Sequence, residues 1–183
     1  MIAFLQLYTN QIVGFGVLVS NIVFAILGVL FVVSVVWRGK VYAFIHSHIV
    51  KVVFWSALVA SVGSLIYSNI IGFPPCDLCW WQRIFLYPQV LIAGIAMLKK
   101  DKSIIEYMLP MSLIGGVIAL YQSAVQWGLL NNSLLNCTAV GGECAKVYVN
   151  EFGYITIPFM SFSIFVYLIA LKLIFYRSRK IHG

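Results

Sequence analysis

Five long apolar stretches decide what this chain can fold into. A helix needs about 20 mostly apolar residues to cross the hydrocarbon of a bilayer, and five segments approach or exceed that length: 12–37, 52–73, 80–98, 107–130 and 155–175. Of the 183 residues, 62% are hydrophobic and only 9% are charged, against roughly 25% charged in a soluble domain. A water-soluble globule is thereby excluded, and the expected fold is an all-α integral membrane helical bundle. The first segment carries no charge, lacks a basic n-region and a small-residue cleavage site, and is too long for a signal h-region, so it reads as a retained span. The third is the weakest, because it holds Arg83 near its start and Pro88 inside, where a kink is expected. No soluble domain or internal repeat is visible. The net charge of +7 does not indicate a nucleic-acid partner: the basic residues gather at the ends of apolar stretches and form no basic face with interleaved aromatics. Walker and Rossmann glycine motifs are absent.

Lys and Arg set the topology. Arg38, Lys40 and Lys51 fall in the first loop, Lys99, Lys100 and Lys102 in the third, and Arg177, Arg179 and Lys180 in the tail, with Lys172 able to snorkel toward it. These make up all but two of the twelve basic residues; only Arg83 and Lys146 belong to the other side. Loops 1 and 3 and the C-terminus are therefore expected in the cytoplasm, and the N-terminus with loops 2 and 4 outside it. All four cysteines fall in those outer breaks.

That placement gives the cysteines their meaning, because extracytoplasmic thiols in even number read as disulfides. Cys76-Asp77-Leu78-Cys79 follows Pro74-Pro75 and opens the third helix. A thiolate at a helix N-terminus is stabilised by unpaired amides and the positive end of the dipole. A static disulfide clip and half of a metal site are the competing readings; the metal is disfavoured because His46, His48 and His182 belong to the opposite side. Cys137 and Cys144 bracket a short loop in which Gly141-Gly142 lets the chain turn back. Such a loop disulfide is either structural or exchangeable, and a second thiol pair on the same face favours exchange. Arg83, four residues after Cys79, shares its helical face, and an arginine near membrane depth is costly without a partner. It is read as a counter-charge for a thiolate and for a bound electron acceptor, against a lipid-phosphate anchor. Trp80, Trp81, Tyr87, Tyr121 and Trp127 fit interfacial belts, with Trp80 and Trp81 also able to line a ring pocket. Gln122 and Gln126 suit interhelical hydrogen bonds or contact with a quinone oxygen.

The block from Pro75 to Pro88, with Cys-Asp-Leu-Cys, Gln82-Arg83 and Tyr87-Pro88, resembles the disulfide bond formation protein B family (DsbB), above all its short BdbC-like members. A second cysteine pair two helices later and Thr156-Ile157-Pro158 at the start of the last helix are similar too. The resemblance implies a four-helix core in residues 52–183, with residues 1–51 an additional N-terminal transmembrane helix and cytoplasmic loop. It further implies a bacterial cytoplasmic membrane location, bound ubiquinone or menaquinone, and reoxidation of a thioredoxin-like thiol oxidase (DsbA/BdbD-like). By position, Cys137 would accept the partner's thiolate, Cys144 would pass electrons to Cys76, and Cys79 would face the quinone beside Arg83. The extra first helix and the few residues between Cys137 and Cys144 depart from the family pattern.

Two alternatives compete with this protein-dithiol:quinone oxidoreductase. A vitamin K epoxide reductase-like enzyme has its loop pair before the helix-borne pair, the reverse of the order here. A membrane protein with two structural disulfides and no redox turnover leaves Arg83 without a purpose.

Overall fold

The computed structural model describes residues 2–130 and 144–182, with side chains over 6–130 and 144–180. Its helices are α1 (Ile2–Val33), α2 (Val35–Leu65), α3 (Asp77–Lys99), α4 (Leu109–Gln126) and α5 (Ile157–His182). A π-helical turn (Ile66–Ile70) prolongs α2 and a 3-10 turn (Ser103–Met108) leads into α4. With these extensions there are, among the described residues, five helical segments long and apolar enough to cross a membrane. The expected all-α membrane bundle is the architecture observed. Among the described residues, the extended pairing is a single isolated bridge between Glu151 and Ile155.

Helices α2–α5 make an antiparallel bundle in which α2 and α4 each pack against α3 and α5, with α1 alongside α2 and α5. Buried positions on α2 recur every fourth residue, at Ile45, Ile49, Val53, Ala57 and Ser61, so one narrow seam faces the core. Across α4 and α5 the packing depends on a missing side chain. A Cβ on Gly115 would lie 2.3 Å from Cζ of the fully buried Phe165, whereas one on Gly116 would be 3.4 Å from Phe165 Cβ. Small residues let membrane helices approach closely, and here Gly115 makes room for an entire ring.

Two expectations are corrected. Residues 38–51 are not a loop: Ser34 alone separates α1 from α2, in an extended conformation (φ −107°, ψ 116°), and its hydroxyl accepts from Trp37 N at 3.3 Å. Arg38 reaches back to donate to Val32 O at 2.9 Å, satisfying a carbonyl at the end of α1. The basic residues lowered the local hydropathy without breaking the helix. From Val35 to Ile70 the 36-residue helical span is about 54 Å long at 1.5 Å per residue, so its basic first turns extend well beyond a hydrocarbon layer of about 30 Å. Lys172 does not snorkel either. It is buried in the bundle and donates to Gln89 Oε1 (2.8 Å), Ser112 Oγ (2.5 Å) and Met108 O (3.0 Å). Three acceptors match the three donors of its ammonium, so the core satisfies it better than a reach for water would. Pro88 lies inside an α3 assigned as one helix from end to end.

The two ends of the bundle differ in charge. At one, Lys102 Nζ donates to His46 O (2.7 Å) and Arg179 pairs with Glu106 (2.7 Å), tying together the start of α2, the α3–α4 connection and the end of α5. The described cysteines lie at the other end.

Candidate active site

The site begins where α2 ends. The π-helical turn and Gly72, at φ +85°, redirect the chain. Pro74-Pro75 then deliver it to Cys76, the N-cap of α3, whose side chain makes no capping bond. Cys79 therefore sits in the first turn, where unpaired amides favour an anion. Both are free thiols with their sulfurs 3.1 Å apart, about 1 Å more than the length of a disulfide bond. Hydrogen bonding to Cys79, reinforced by burial, pushes the Cys76 thiol well above its ordinary range.

Gln122 of α4 holds this pair. Its Nε2 lies 3.1 Å from Cys76 Sγ and 3.5 Å from Cys79 Sγ, and Gln82 Nε2 donates to its Oε1 at 2.7 Å. The amide is buried, so its orientation is fixed by α3 on one side and the sulfurs on the other. Gln126, a turn later, donates to Lys146 O (3.1 Å) and Cys144 O (3.4 Å), which fastens the segment descending toward α5. Cys144 is disulfide-bonded and fully buried, in one apolar cluster with Cys76 and Leu78, against which Cys79, Ile118 and Tyr121 pack. Cys137 lies outside the described residues. The structure thus brings Cys144 against the Cys76–Cys79 pair.

A cavity of about 580 Å³ opens beside the thiols, with Cys76, Cys79, Gln82, Arg83, Gln122 and Gln126 on its wall. Most of its remaining lining is apolar or aromatic. Arg83 is buried, and Ser64 accepts from it twice, through Oγ to Nε (2.9 Å) and through its carbonyl to Nη2 (3.1 Å). Two of its five N–H groups are used there, and among the described residues it forms no ion pair. Trp80 is half-exposed and is not on the cavity wall; the Arg83 guanidinium lies 5.2 Å from its ring centroid.

Some wall residues were not assigned to the site from sequence. Among them, Tyr67 is buried with a hydroxyl that has no partner among the described residues, Ser64 positions Arg83, and Lys146, read only for topology, lies 5.2 Å from the Tyr148 ring. Gln82 was visible only as part of a motif; its i+3 relation to Cys79 was the available signal. Ser64 and Tyr67 belong to another helix, and nothing in their spacing from the cysteines marks them. Among the described residues no group of His, Cys, Asp and Glu could hold a metal ion.

Comparison with known proteins adds the lineage. The family model for disulfide bond formation protein DsbB matches residues 46–175. The chain belongs to the DsbB family. It is 42% identical over 113 residues to disulfide bond formation protein C of Bacillus subtilis, covering 62% of this chain and 81% of that protein. Probable disulfide formation protein C 1 of Bacillus cereus is 45% identical over 113 residues, 58% of this chain and 77% of the relative. A probable disulfide formation protein C from Halalkalibacterium halodurans is 41% identical over 125 residues, 68% and 90% respectively. No solved structure matches. As a DsbB-family member the protein is a membrane oxidoreductase of disulfide bond formation. The match begins inside α2, so α1 lies outside the part shared with the family.

Proposed function

We propose that the protein is a thiol oxidase that takes electrons from a thioredoxin-like dithiol protein outside the cytoplasmic membrane and delivers them to membrane quinone. One observation carries this reading. The Cys76–Cys79 pair stands between a buried disulfide cysteine, Cys144, and an apolar cavity bearing a buried arginine. Residues 52–183 form the redox unit, and the cysteine end is the extracytoplasmic one, since the basic residues gather at the other.

Thiol exchange runs in three stages. A partner thiolate attacks Cys137, forming a mixed disulfide and releasing Cys144 as thiolate; the partner's second thiolate then displaces Cys137 and leaves the partner oxidised. Next, Cys144 attacks Cys76 of an oxidised Cys76–Cys79 pair, and Cys79 leaves as thiolate. Attack of Cys137 on Cys144 restores the loop disulfide and frees Cys76, so a dithiol now stands at the cavity. Gln122 donates to both sulfurs and steadies the negative charge that moves between them.

The cavity fits a quinone. Its wall carries the guanidinium of Arg83 and the buried hydroxyl of Tyr67, which has no partner among the described residues, two donors for a molecule with two carbonyl acceptors. Tyr67 stands three residues after Ser64, the anchor of Arg83, on one face of the same helical segment, a spacing of about 5–6 Å. Quinone supplies an acceptor for two electrons and two protons. Cys76 and Cys79 give up both as their disulfide forms, and Arg83 holds positive charge beside the site of transfer.

The test is quinone reduction by the purified protein given a reduced thioredoxin-like dithiol, together with non-reducing gels of cysteine variants. A partner lacking its second thiol should accumulate a thiol-sensitive complex with the wild type and with Cys79→Ser, because nothing then displaces Cys137 from the mixed disulfide, and Cys137→Ser should abolish that complex. Cys79→Ser should still exchange disulfides yet reduce no quinone. If no variant traps a complex and the wild type reduces no quinone, two structural disulfides are the better account.

A further inference from the structure

We infer that α1, the helix outside the family match, forms one wall of the cavity and sets its grip on the isoprenoid tail of a quinone. This rests on the reading of the cavity as a quinone site. Val13 and Val17, one turn apart on α1, both line the cavity. With Leu18 they pack against the cluster of Tyr67, Ile71, Val149, Ile155 and Met160.

The helix is seated there by a few specific contacts. A Cβ on Gly14 would lie 2.7 Å from Glu151 Cγ, an approach only glycine permits. Farther along, the Tyr167 hydroxyl of α5 bonds to Asn21 Oδ1 and lies 3.2 Å from Ser20 Oγ. Phe24 and Tyr167 bring their ring centroids within 4.4 Å. The residues facing the bundle, Val13, Gly14, Val17, Asn21 and Phe24, recur at helical spacing, while Phe15, Val19, Ile22 and Val23 are exposed on the outer surface. Thus α1 stands between the cavity and the surrounding lipid.

Polarity within the cavity orients the ligand. Arg83, Gln82 and the thiols lie together on its wall and suit a ring bearing carbonyl oxygens. Val13, Val17, Ile66, Met160 and Ile164 offer an apolar wall, which suits a hydrocarbon tail and nothing that must stay hydrated. A tail leaving the ring along this wall lies against α1. The two valines therefore contribute to the binding of tailed quinones and hardly at all to the binding of a bare ring.

The experiment compares full-length wild type, Val17→Phe, Val17→Ala and the outward-facing control Val19→Phe in lipid nanodiscs. Equilibrium binding is read from quenching of intrinsic tryptophan fluorescence, Trp55 being on the cavity wall. Each protein is titrated with an isoprenoid-tailed quinone and with the same ring lacking a tail, and steady-state KM is measured for both. Val17→Phe narrows the wall and should raise Kd for the tailed quinone about tenfold, with less than about twofold change for the tail-less one. Val17→Ala removes two methyl groups without crowding the core and should raise it about threefold. Val19→Phe should match wild type. Unchanged tailed-quinone Kd in both Val17 variants would overturn the role of α1 while leaving the oxidase reading intact. Failure of the wild type to bind either quinone would instead remove the proposed function, and this inference with it.

Discussion

Arg83 is buried with hydrogen bonds to Ser64 and no ion-pair partner among the described residues. Arg83→Gln should therefore lower the catalytic efficiency with quinone by two orders of magnitude or so, on the scale of removing a charged transition-state donor, while thermal stability changes little. Kinetics across quinone concentrations, beside a melting curve, check this; unchanged kinetics would reduce Arg83 to a structural anchor. Tyr67→Phe deletes from the wall a hydroxyl that has no partner among the described residues. It should raise quinone Kd several-fold, the worth of roughly one hydrogen bond, with no loss of fold. Gln122 acts on the sulfurs instead. Its amide hydrogens favour the reduced pair, so Gln122→Leu should make the Cys76–Cys79 disulfide harder to reduce, lowering its potential by on the order of 30 mV. Equilibration with dithiol buffers measures the shift, and a potential that rises would refute the role given to Gln122.

Among the helices, the α4–α5 contact depends most on one position. Gly115→Ala places a methyl group within 2.3 Å of the Phe165 ring, whereas Gly116→Ala meets its nearest neighbour at 3.4 Å. Overpacking a tight core costs about 1–3 kcal/mol, more than the roughly 1 kcal/mol that alanine gains over glycine in a helix. Gly115→Ala should melt earlier than wild type and Gly116→Ala close to it, as followed by thermal unfolding in detergent. Equal melting of the two would mean that Phe165 turns aside at little cost. Helix α2 teaches a different lesson. Its basic turns are polar enough to resemble a loop, yet Ser34 and Arg38 cap the α1–α2 junction so tightly that no loop is left.

For the whole molecule, the separation of basic residues from cysteines is a statement about orientation. With the native cysteines replaced by serine, a single cysteine at the exposed Phe152 should react with a membrane-impermeant maleimide in intact cells. One placed at Lys100, on the α3–α4 connection, should react only after lysis. The reverse pattern would invert the topology and take away the oxidising surroundings that the exchange chemistry needs.

Much of this protein was determined by the order of its residues alone. Apolar stretches of spanning length force backbone hydrogen bonds to close within helices, so the all-α bundle follows from composition and spacing. The uneven distribution of Lys and Arg separates the ends, and Cys76-Asp77-Leu78-Cys79 before Arg83 announces a thiol pair at a helix start with a cation one turn on. Local sequence could not tell which neighbours complete the site. Gln122 turned out to hold the sulfurs and Gln126 the Cys144 segment, because an amide in a membrane helix bonds to whatever polar atom the next helix presents. Ser64, Tyr67 and the α1 valines reached the cavity only through packing between helices far apart in the chain. Lys172 went inward because Gln89, Ser112 and Met108 together offer three acceptors. Hydrophobic pattern and charge fix helices and sides, since they act through solvent and lipid on each segment separately. The site's partners and its cavity depend on distances between segments, and those exist only once the bundle has packed.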